Sequence, residues 1–485
     1  MKLIYYSCLL FFSLSIYAND KPNIVFLLAD DMGYADLGCF GSPVIKSPNL
    51  DKIAAEGMRF TNCYSASPNC SPARTGILTG RSPYRVGMYD FARFKPMHIP
   101  KDERTMGTVL QEAGYQTMFG GKWHCSGDFE NQPNPGDHGF DHWFAHPKNF
   151  GKDATGFYRN GEKLPAVKGW MAEVVVNEAI NFIDKCDKSK PFMTMLWFSE
   201  PHTPVLAAPE FIEMYKNEET EQATKELKYG GPQVKRKVTE EGKYLYFGCV
   251  TMLDHHIGRL MKYLKENDLE ENTIIVFTSD NGPEHRVKTS YGSPGNLRGA
   301  KGHIHEGGYH VPGIIKWPAK IKGGTVCAEP VNGTDWLPSL AKAASADIKA
   351  KKTIDGANVF PALIEGKKVI REKPMMWWLY HARGGKEISM RLGDYKILAN
   401  MLPQSTITIN DASPPKGQSI MDFIKKADLG NFSLFNLRED PNETNDLAEK
   451  YPEKLAELKK VMIELHREIR SEGPIYELGR GKKKK

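Results

Sequence analysis

Asn23-Ile24-Val25-Phe26-Leu27-Leu28-Ala29 (NIVFLLA) has no polar residue after its first position, and it stops abruptly at Asp30-Asp31. A strand with one solvated face alternates apolar and polar residues. A continuous run of this kind predicts a strand covered on both faces, as in a parallel sheet between layers of helices. Working outward, Ser47 to Glu56 (SPNLDKIAAE) has a serine cap, proline at the first helical position, Leu50, Ile53 and Ala54 on one face, and Gly57 as the stop. A buried strand followed by an amphipathic helix predicts α/β winding.

The pattern recurs. Thr105 to Ala113 reads as a helix stopped by Gly114, and Tyr115 to Phe119 as a strand running into Gly120-Gly121-Lys122-Trp123-His124. Pro191 to Phe198 (PFMTMLWF) reads as a strand ending in Ser199-Glu200-Pro201-His202. Between Lys243 and Leu264, Tyr246, Val250, Leu253, Ile257, Leu260 and Leu264 alternate spacings of four and three, which marks a long core-facing helix. Thr273 to Ser279 (TIIVFTS) is a strand ending in Asp280-Asn281. Taken singly, a polar residue after a strand is better explained as a helix cap or loop residue. Four strands that deliver such residues predict a shared site, because ligands bind at the carboxyl edge of an open parallel sheet.

Composition sets the bounds. The chain has 485 residues, 40% hydrophobic, 26% charged and 11% aromatic, which excludes a disordered chain and allows a large core. Lys+Arg 65 against Asp+Glu 59 leaves +6, weak for a nucleic-acid binder of this size, so no nucleic-acid partner is expected. Glu218 to Glu241 reads as a solvated excursion, and the tail Lys482 to Lys485 as a solvated end. Lys2, the largely apolar Leu3 to Tyr17 and then Ala18-Asn19-Asp20 have the layout of a signal peptide over 1–18. Export to a periplasmic or extracellular location is therefore expected; the run is too short for a membrane span. Eight cysteines, at 8, 39, 63, 70, 125, 186, 249 and 327, show no CxxC pair, and loss of Cys8 leaves an odd set outside the cytosol. From about Pro374 the texture changes to short strands (MMWWLY, SMRLGDYKILAN, FSLFNL) and an amphipathic helix, Glu453 to Ile469, which predicts a smaller α+β unit with a boundary near 350–373.

The most informative segment is Cys70-Ser71-Pro72-Ala73-Arg74-Thr75-Gly76-Ile77-Leu78-Thr79-Gly80-Arg81. A cysteine at a helix start with Arg74 one turn on could have a lowered thiol pKa and act as a nucleophile, but on position alone a buried structural cysteine is the better reading. CSPARTGILTGR resembles the signature of the type I, formylglycine-dependent sulfatases. The resemblance extends through LLADDMGYADLG, GGKWH, EPHTP, FTSDNG, LRGAKGHIHEGGYHVPG and LFNLREDPNETNDLAEKYP, in that order. Gly136 to Phe144 (GDHGFDHWF) resembles the arylsulfatase A and N-acetylgalactosamine-6-sulfatase branch.

The resemblance implies an alkaline-phosphatase-like α/β core with a mostly parallel central sheet flanked by helices, plus a smaller C-terminal α+β domain. The corresponding division is a signal peptide over 1–18, a catalytic domain over 19–365 and a C-terminal subdomain over 366–485. It implies an exported sulfuric ester hydrolase acting on sulfated carbohydrate or aryl sulfate, with Cys70 oxidised by a formylglycine-generating maturation enzyme. One hydroxyl of the hydrated aldehyde would attack sulfur, and the second would lose its proton to expel sulfate.

The same resemblance assigns Asp30, Asp31, Asp280, Asn281 and the modified Cys70 to one divalent cation. An all-oxygen set suits calcium better than magnesium and does not suit zinc. Arg74 would orient the formylglycine, Lys122 and Lys301 would grip the sulfate oxygens, and Asp280 would also serve as base. His124 would take the proton during sulfate release, and His202, alone or with Lys301, would protonate the leaving alcohol. A phosphomonoester or phosphonate hydrolase is the nearest alternative, and a non-catalytic polyanion binder is the alternative if Cys70 stays unconverted. His303 and His305 are candidates to shape the alcohol-side pocket, and Tyr89, Asp90 and Arg93 are candidate sugar contacts. Asp254, His255 and His256 cluster in sequence but sit within the long helix, where a surface or packing role is the better reading.

Overall fold

In the computed structural model, which describes residues 21–92, 97–227, 239–402 and 419–476, Asn23–Ala29 is a central strand with parallel neighbours on both sides. It lies in a ten-stranded sheet. Thr273–Ser279, Asn23–Ala29, Phe192–Trp197, Gln116–Lys122 and His142–His146 form a continuous parallel block. Gly313–Lys316 adds to one side antiparallel, and short strands continue both edges.

The unbroken apolar run has a direct cause. Ile24, Phe26 and Leu28 enter one hydrophobic cluster, while Val25, Leu27 and Ala29 enter another. Period-two alternation therefore sorts side chains between two cores rather than between core and water. The first cluster is closed by helices Cys70–Thr79, Met106–Glu112 and Trp336–Ala343, and the second by Pro48–Glu56, Met171–Lys185 and Glu240–Glu266. All six residues that predicted the long helix, Tyr246 through Leu264, are fully buried.

A second sheet of four antiparallel strands, Met375–Trp378, Ile388–Leu392, Tyr395–Leu402 and Asp428–Asn436, is followed by helix Pro452–Glu472. Its Met376, Trp378, Met390 and Ile397 share the first cluster with Phe26 and Leu28, so the two sheets bury apolar surface against a common core. The proposed signal peptide, the lysine tail and part of the charged excursion lie outside the described residues. All seven described cysteines are free thiols. No helix among the described residues is long and apolar enough to cross a membrane.

Candidate active site

The strand ends are level with one another. The Asp280 backbone N–H donates to Ala29 O (3.1 Å), and that of Asp30 to Glu200 O (2.9 Å), so the residues that follow three adjacent strands emerge side by side. Lys122 closes the next strand, Gln116–Lys122. The preceding Gly121 has φ +101°, and a Cβ there would lie 2.0 Å from Trp197 O; glycine is what lets this strand end ride so close to its neighbour. Helix Cys70–Thr79 begins at Cys70, is buried along its whole length, and is stopped by the left-handed Gly80.

Around that helix start the side chains interlock. Cys70 Sγ lies 3.7 Å from Asp30 Oδ1 and 3.9 Å from Asp31 Oδ1. Lys122 Nζ donates to Asp30 Oδ2 at 2.5 Å, and Lys301 Nζ to both Asp31 oxygens at 2.6 and 2.7 Å. The Arg74 guanidinium reaches Asp280 Oδ2 through Nε (2.9 Å) and Nη2 (2.8 Å), donates from Nη1 to Lys122 O (2.9 Å), and lies 3.4 Å from Asp30 Oδ2. Asp280 Oδ1 accepts from the Asp31 N–H at 3.1 Å, and Asn281 Nδ2 donates to Asp31 Oδ1 at 2.7 Å. His202 Nε2 stands 3.5 Å from Asp31 Oδ2, and the His124 ring stacks on Phe91 at 5.9 Å. Asp31 (φ 66°) and His124 (φ 54°) both hold left-handed backbone, a conformation that costs a non-glycine residue about 1 kcal/mol or more and persists where the surroundings enforce it.

Burial works to raise the Asp30 carboxyl pKa, but Lys122, His202 and Arg74 together outweigh it and hold the group below its ordinary value. Burial would lower the Lys301 ammonium, yet Asp31, with Cys70, Asp30 and Asp280, pushes it well above. Burial, reinforced by Lys122 and Arg74, holds the His124 imidazole well below its ordinary value, so it is a neutral base. His202 is also lowered by burial, with Asp31 opposing.

The Cys70 thiol is buried, as its position alone suggested, and its pKa is not lowered by the helix start and Arg74. Burial, opposed by Lys122 and Lys301 and assisted by Asp280 and Asp30, pushes its pKa well above the ordinary thiol range. The physical reason is desolvation: Cys70 is buried, and the nearby Asp30 and Asp280 carboxylates add to the cost of a thiolate beyond what Lys122 and Lys301 return. Burial thus disfavours the thiolate, the nucleophilic form of the unmodified residue.

The oxygen atoms suit a hard divalent cation. Asp30, Asp31, Cys70 and His202 offer donor atoms within 4.8 Å of one another, and Asp280 and Asn281 border Asp31. Asn281 Oδ1 is buried with no hydrogen-bond partner among the described residues, an orphaned acceptor of the kind a cation satisfies. Arg74, Lys122 and Lys301 offset the charge of Asp30, Asp31 and Asp280, so the buried cluster is balanced by itself and a bound divalent ion would make it an anion trap.

The predicted residues Asp30, Asp31, Cys70, Arg74, Lys122, His202, Asp280, Asn281 and Lys301 thus form one connected set, with His124 beside it against Phe91. Asp254 is elsewhere: its carboxylate accepts from the Asn49 and Leu50 N–H groups (3.2 and 2.7 Å), serving the start of helix Pro48–Glu56. His255 is exposed and His256 meets Arg259, so these three hold no metal cluster. Tyr89 is not a sugar contact, because its hydroxyl donates to Pro474 O at 2.6 Å and its ring packs on Tyr84. Arg93 lies outside the described residues. His303 is buried beside Arg383 and His285, and His305 is buried next to Gly299.

No local sequence pattern marks Asn149, whose side chain meets His202 Nδ1 and donates to Thr203 O (3.2 Å). It sits in a loop and reaches its partner only through the fold. Glu200, beside Asp30, accepts from the Ala172 N–H at 2.6 Å at the start of helix Met171–Lys185, and burial pushes its carboxyl up to about 7.

Comparison with known proteins points the same way. Residues 22–346 match the family model described as Sulfatase. The chain is 31% identical over 411 residues to N-acetylgalactosamine-6-sulfatase of Canis lupus familiaris, covering 78% of this chain and 72% of the relative. It is 29% identical over 474 residues to arylsulfatase A of Homo sapiens, covering 91% and 87%. The crystal structure of Ps i-CgsB in complex with k-i-k-neocarrahexaose superposes with a TM-score of 0.75 at 26% identity, covering 92% of this chain and 93% of the other.

Proposed function

Because this chain belongs to the sulfatase family and is a sulfuric ester hydrolase, we propose that it cleaves sulfate monoesters of carbohydrate at the cluster around Cys70, using formylglycine and a calcium ion. The observation that carries the reading is the placement of Cys70, buried with Sγ 3.7 and 3.9 Å from Asp30 and Asp31, whose carboxylates Lys122 and Lys301 hold: an oxidised residue there has the neighbours that sulfate-ester chemistry needs. Oxidised and hydrated, residue 70 would supply two hydroxyls on one carbon, and the cation, held by Asp30, Asp31, Asp280 and Asn281, would supply charge for the developing anion.

The remaining steps belong to ordinary side chains. Lys122 and Lys301 bind the sulfate oxygens, their present salt bridges to Asp30 and Asp31 easing as cation and substrate share the charge. Arg74 fixes Asp280, which accepts a proton beside residue 70. The neutral His124 accepts the proton during sulfate release. His202 Nδ1 lies 2.7 Å from Thr203 O, an orientation that leaves Nε2 toward Asp31 and the reacting centre, where the imidazolium form, favoured by the Asp31 carboxylate, hands its Nε2 proton to the departing alcohol and is left neutral.

Support for a carbohydrate substrate comes from relatives named for N-acetylgalactosamine 6-sulfate and from a neighbour crystallised with a neocarrahexaose. Peptide mass spectrometry of active protein should find an aldehyde at residue 70, and Cys70→Ala should abolish sulfate release while melting like wild type. Active protein carrying only the thiol overturns the reading.

A further inference from the structure

Two segments meet beside the sulfate-binding groups. Asp90 to Ala92 follows the signature helix: the Ala92 N–H donates to Ser71 Oγ at 3.0 Å, and Phe91 lies between His124 (5.9 Å) and Lys301 Nζ (6.0 Å). Tyr380 to Arg383 comes from the turn after the first strand of the small sheet. The Arg383 N–H donates to Gly302 O at 2.7 Å and its Nη1 to Lys301 O at 2.9 Å, clamping the lysine's own backbone. Gly302 has φ +79°, and a Cβ there would lie 3.0 Å from Arg383 Nε, so the clamp needs glycine.

Where the segments touch, His381 Nε2 stands 3.0 Å from Asp90 Oδ1. The two side chains differ sharply in exposure, 3% for Asp90 and 34% for His381. Asp90 has two further contacts, with Asn69 Nδ2 and Tyr380 Oη, both at 3.4 Å, long for hydrogen bonds to a carboxylate. Asn69 immediately precedes Cys70 in sequence. A purely structural tie would exclude water from both partners. Here an Asp90 carboxylate with two long contacts faces a His381 Nε2 that is buried without a hydrogen bond among the described residues, while the rest of the imidazole side chain stays partly exposed next to the sulfate grip.

We propose that Asp90 and His381 form a leaving-group subsite that reads a free hydroxyl of the sugar next to the sulfated carbon, the hydroxyl donating to Asp90 while His381 contacts it from the open side. The inference rests on the sulfate-ester reading and deepens it. It also specifies the substrate class: a sugar with an unsulfated neighbouring hydroxyl, since a second sulfate would face the Asp90 carboxylate.

Wild type, His381→Ala, His381→Gln and Asp90→Asn are assayed for sulfate release from 4-nitrophenyl sulfate and from the best substrate in a panel of galactose, galactosamine and glucosamine sulfates. The readout is the ratio of kcat/KM on sugar to kcat/KM on aryl sulfate. It is expected to fall about 10- to 100-fold in His381→Ala and Asp90→Asn, mainly through KM, with His381→Gln retaining most of it. Equal losses on both substrates, or an unchanged ratio, overturn the proposal. Wild type that cleaves the aryl sulfate and no sugar sulfate also overturns it. Wild type with aldehyde at residue 70 that cleaves neither overturns the sulfatase reading instead.

Discussion

Arg74→Met removes the guanidinium while keeping much of its buried volume. In the native protein Arg74 is fully buried, its Nε and Nη2 meet Asp280 Oδ2 at 2.9 and 2.8 Å, its Nη1 holds Lys122 O, and its guanidinium lies 5.1 Å from the Trp197 ring. The methionine leaves the Asp280 carboxylate buried without its cation. Breaking a buried ion pair from one side costs about 3–5 kcal/mol, because the remaining charge stays desolvated. At about 2 °C per kcal/mol, the low end for large domains, Tm falls by about 6–10 °C. If Asp280 also loses its placement, the same energy in the transition state is a loss of about 100-fold or more in kcat/KM. Differential scanning fluorimetry gives the first number. Sulfate release, normalised to the fraction of residue 70 found as aldehyde by peptide mass spectrometry, gives the second. Arg74→Lys should lie between, since one ammonium cannot span Asp280, Asp30 and Lys122 O together. A methionine variant melting within about 1 °C of wild type, with normal turnover per converted enzyme, refutes the reasoning.

Burial with Lys122 and Arg74 lowers the affinity of His124 for protons, so histidine side-chain NMR of the Cys70→Ala protein should show a midpoint below the ordinary value of 6.5; a midpoint at or above 6.5 refutes this. Chelation should lower both activity and Tm, with calcium restoring them better than zinc, because the orphaned Asn281 Oδ1 and three carboxylates form an oxygen site; Tm indifferent to both treatments removes the cation from the account. Glu443 and Glu306 share Lys396 in a buried triad, and burial pushes Glu443 up to about 7. A raised carboxyl contributes stability that is full below its unfolded value near 4.5 and is lost as pH rises through about 7. Tm should therefore decline across that window, and Glu443→Gln should flatten the slope. An unchanged slope locates the titration elsewhere.

The strands were legible because burial on both faces leaves no polar residue in the run: Asn23–Ala29 and Thr273–Ser279 have the bounds that the sequence predicts. The long helix was legible because its apolar residues repeat at helical spacing, and the site because its residues fall in ordered motifs at strand ends. Less was visible where partners are distant in sequence. Asn149 meets His202 across 53 positions and His381 meets Asp90 across 291, with no local pattern to mark either pair. Tyr89, three residues after a short helix and one before Asp90, turns away to Pro474.

The odd cysteine shows the division most clearly. By itself the sequence determined that Cys70 heads the signature helix and that Asp30, Lys122, His202 and Asp280 follow strands, because local periodicity and motif order are properties of the chain. Only the tertiary structure decided the state of that thiol. Its pKa depends on desolvation and on the charges of Lys122, Lys301, Asp280 and Asp30 around it, and both are set by packing among residues up to 231 positions away.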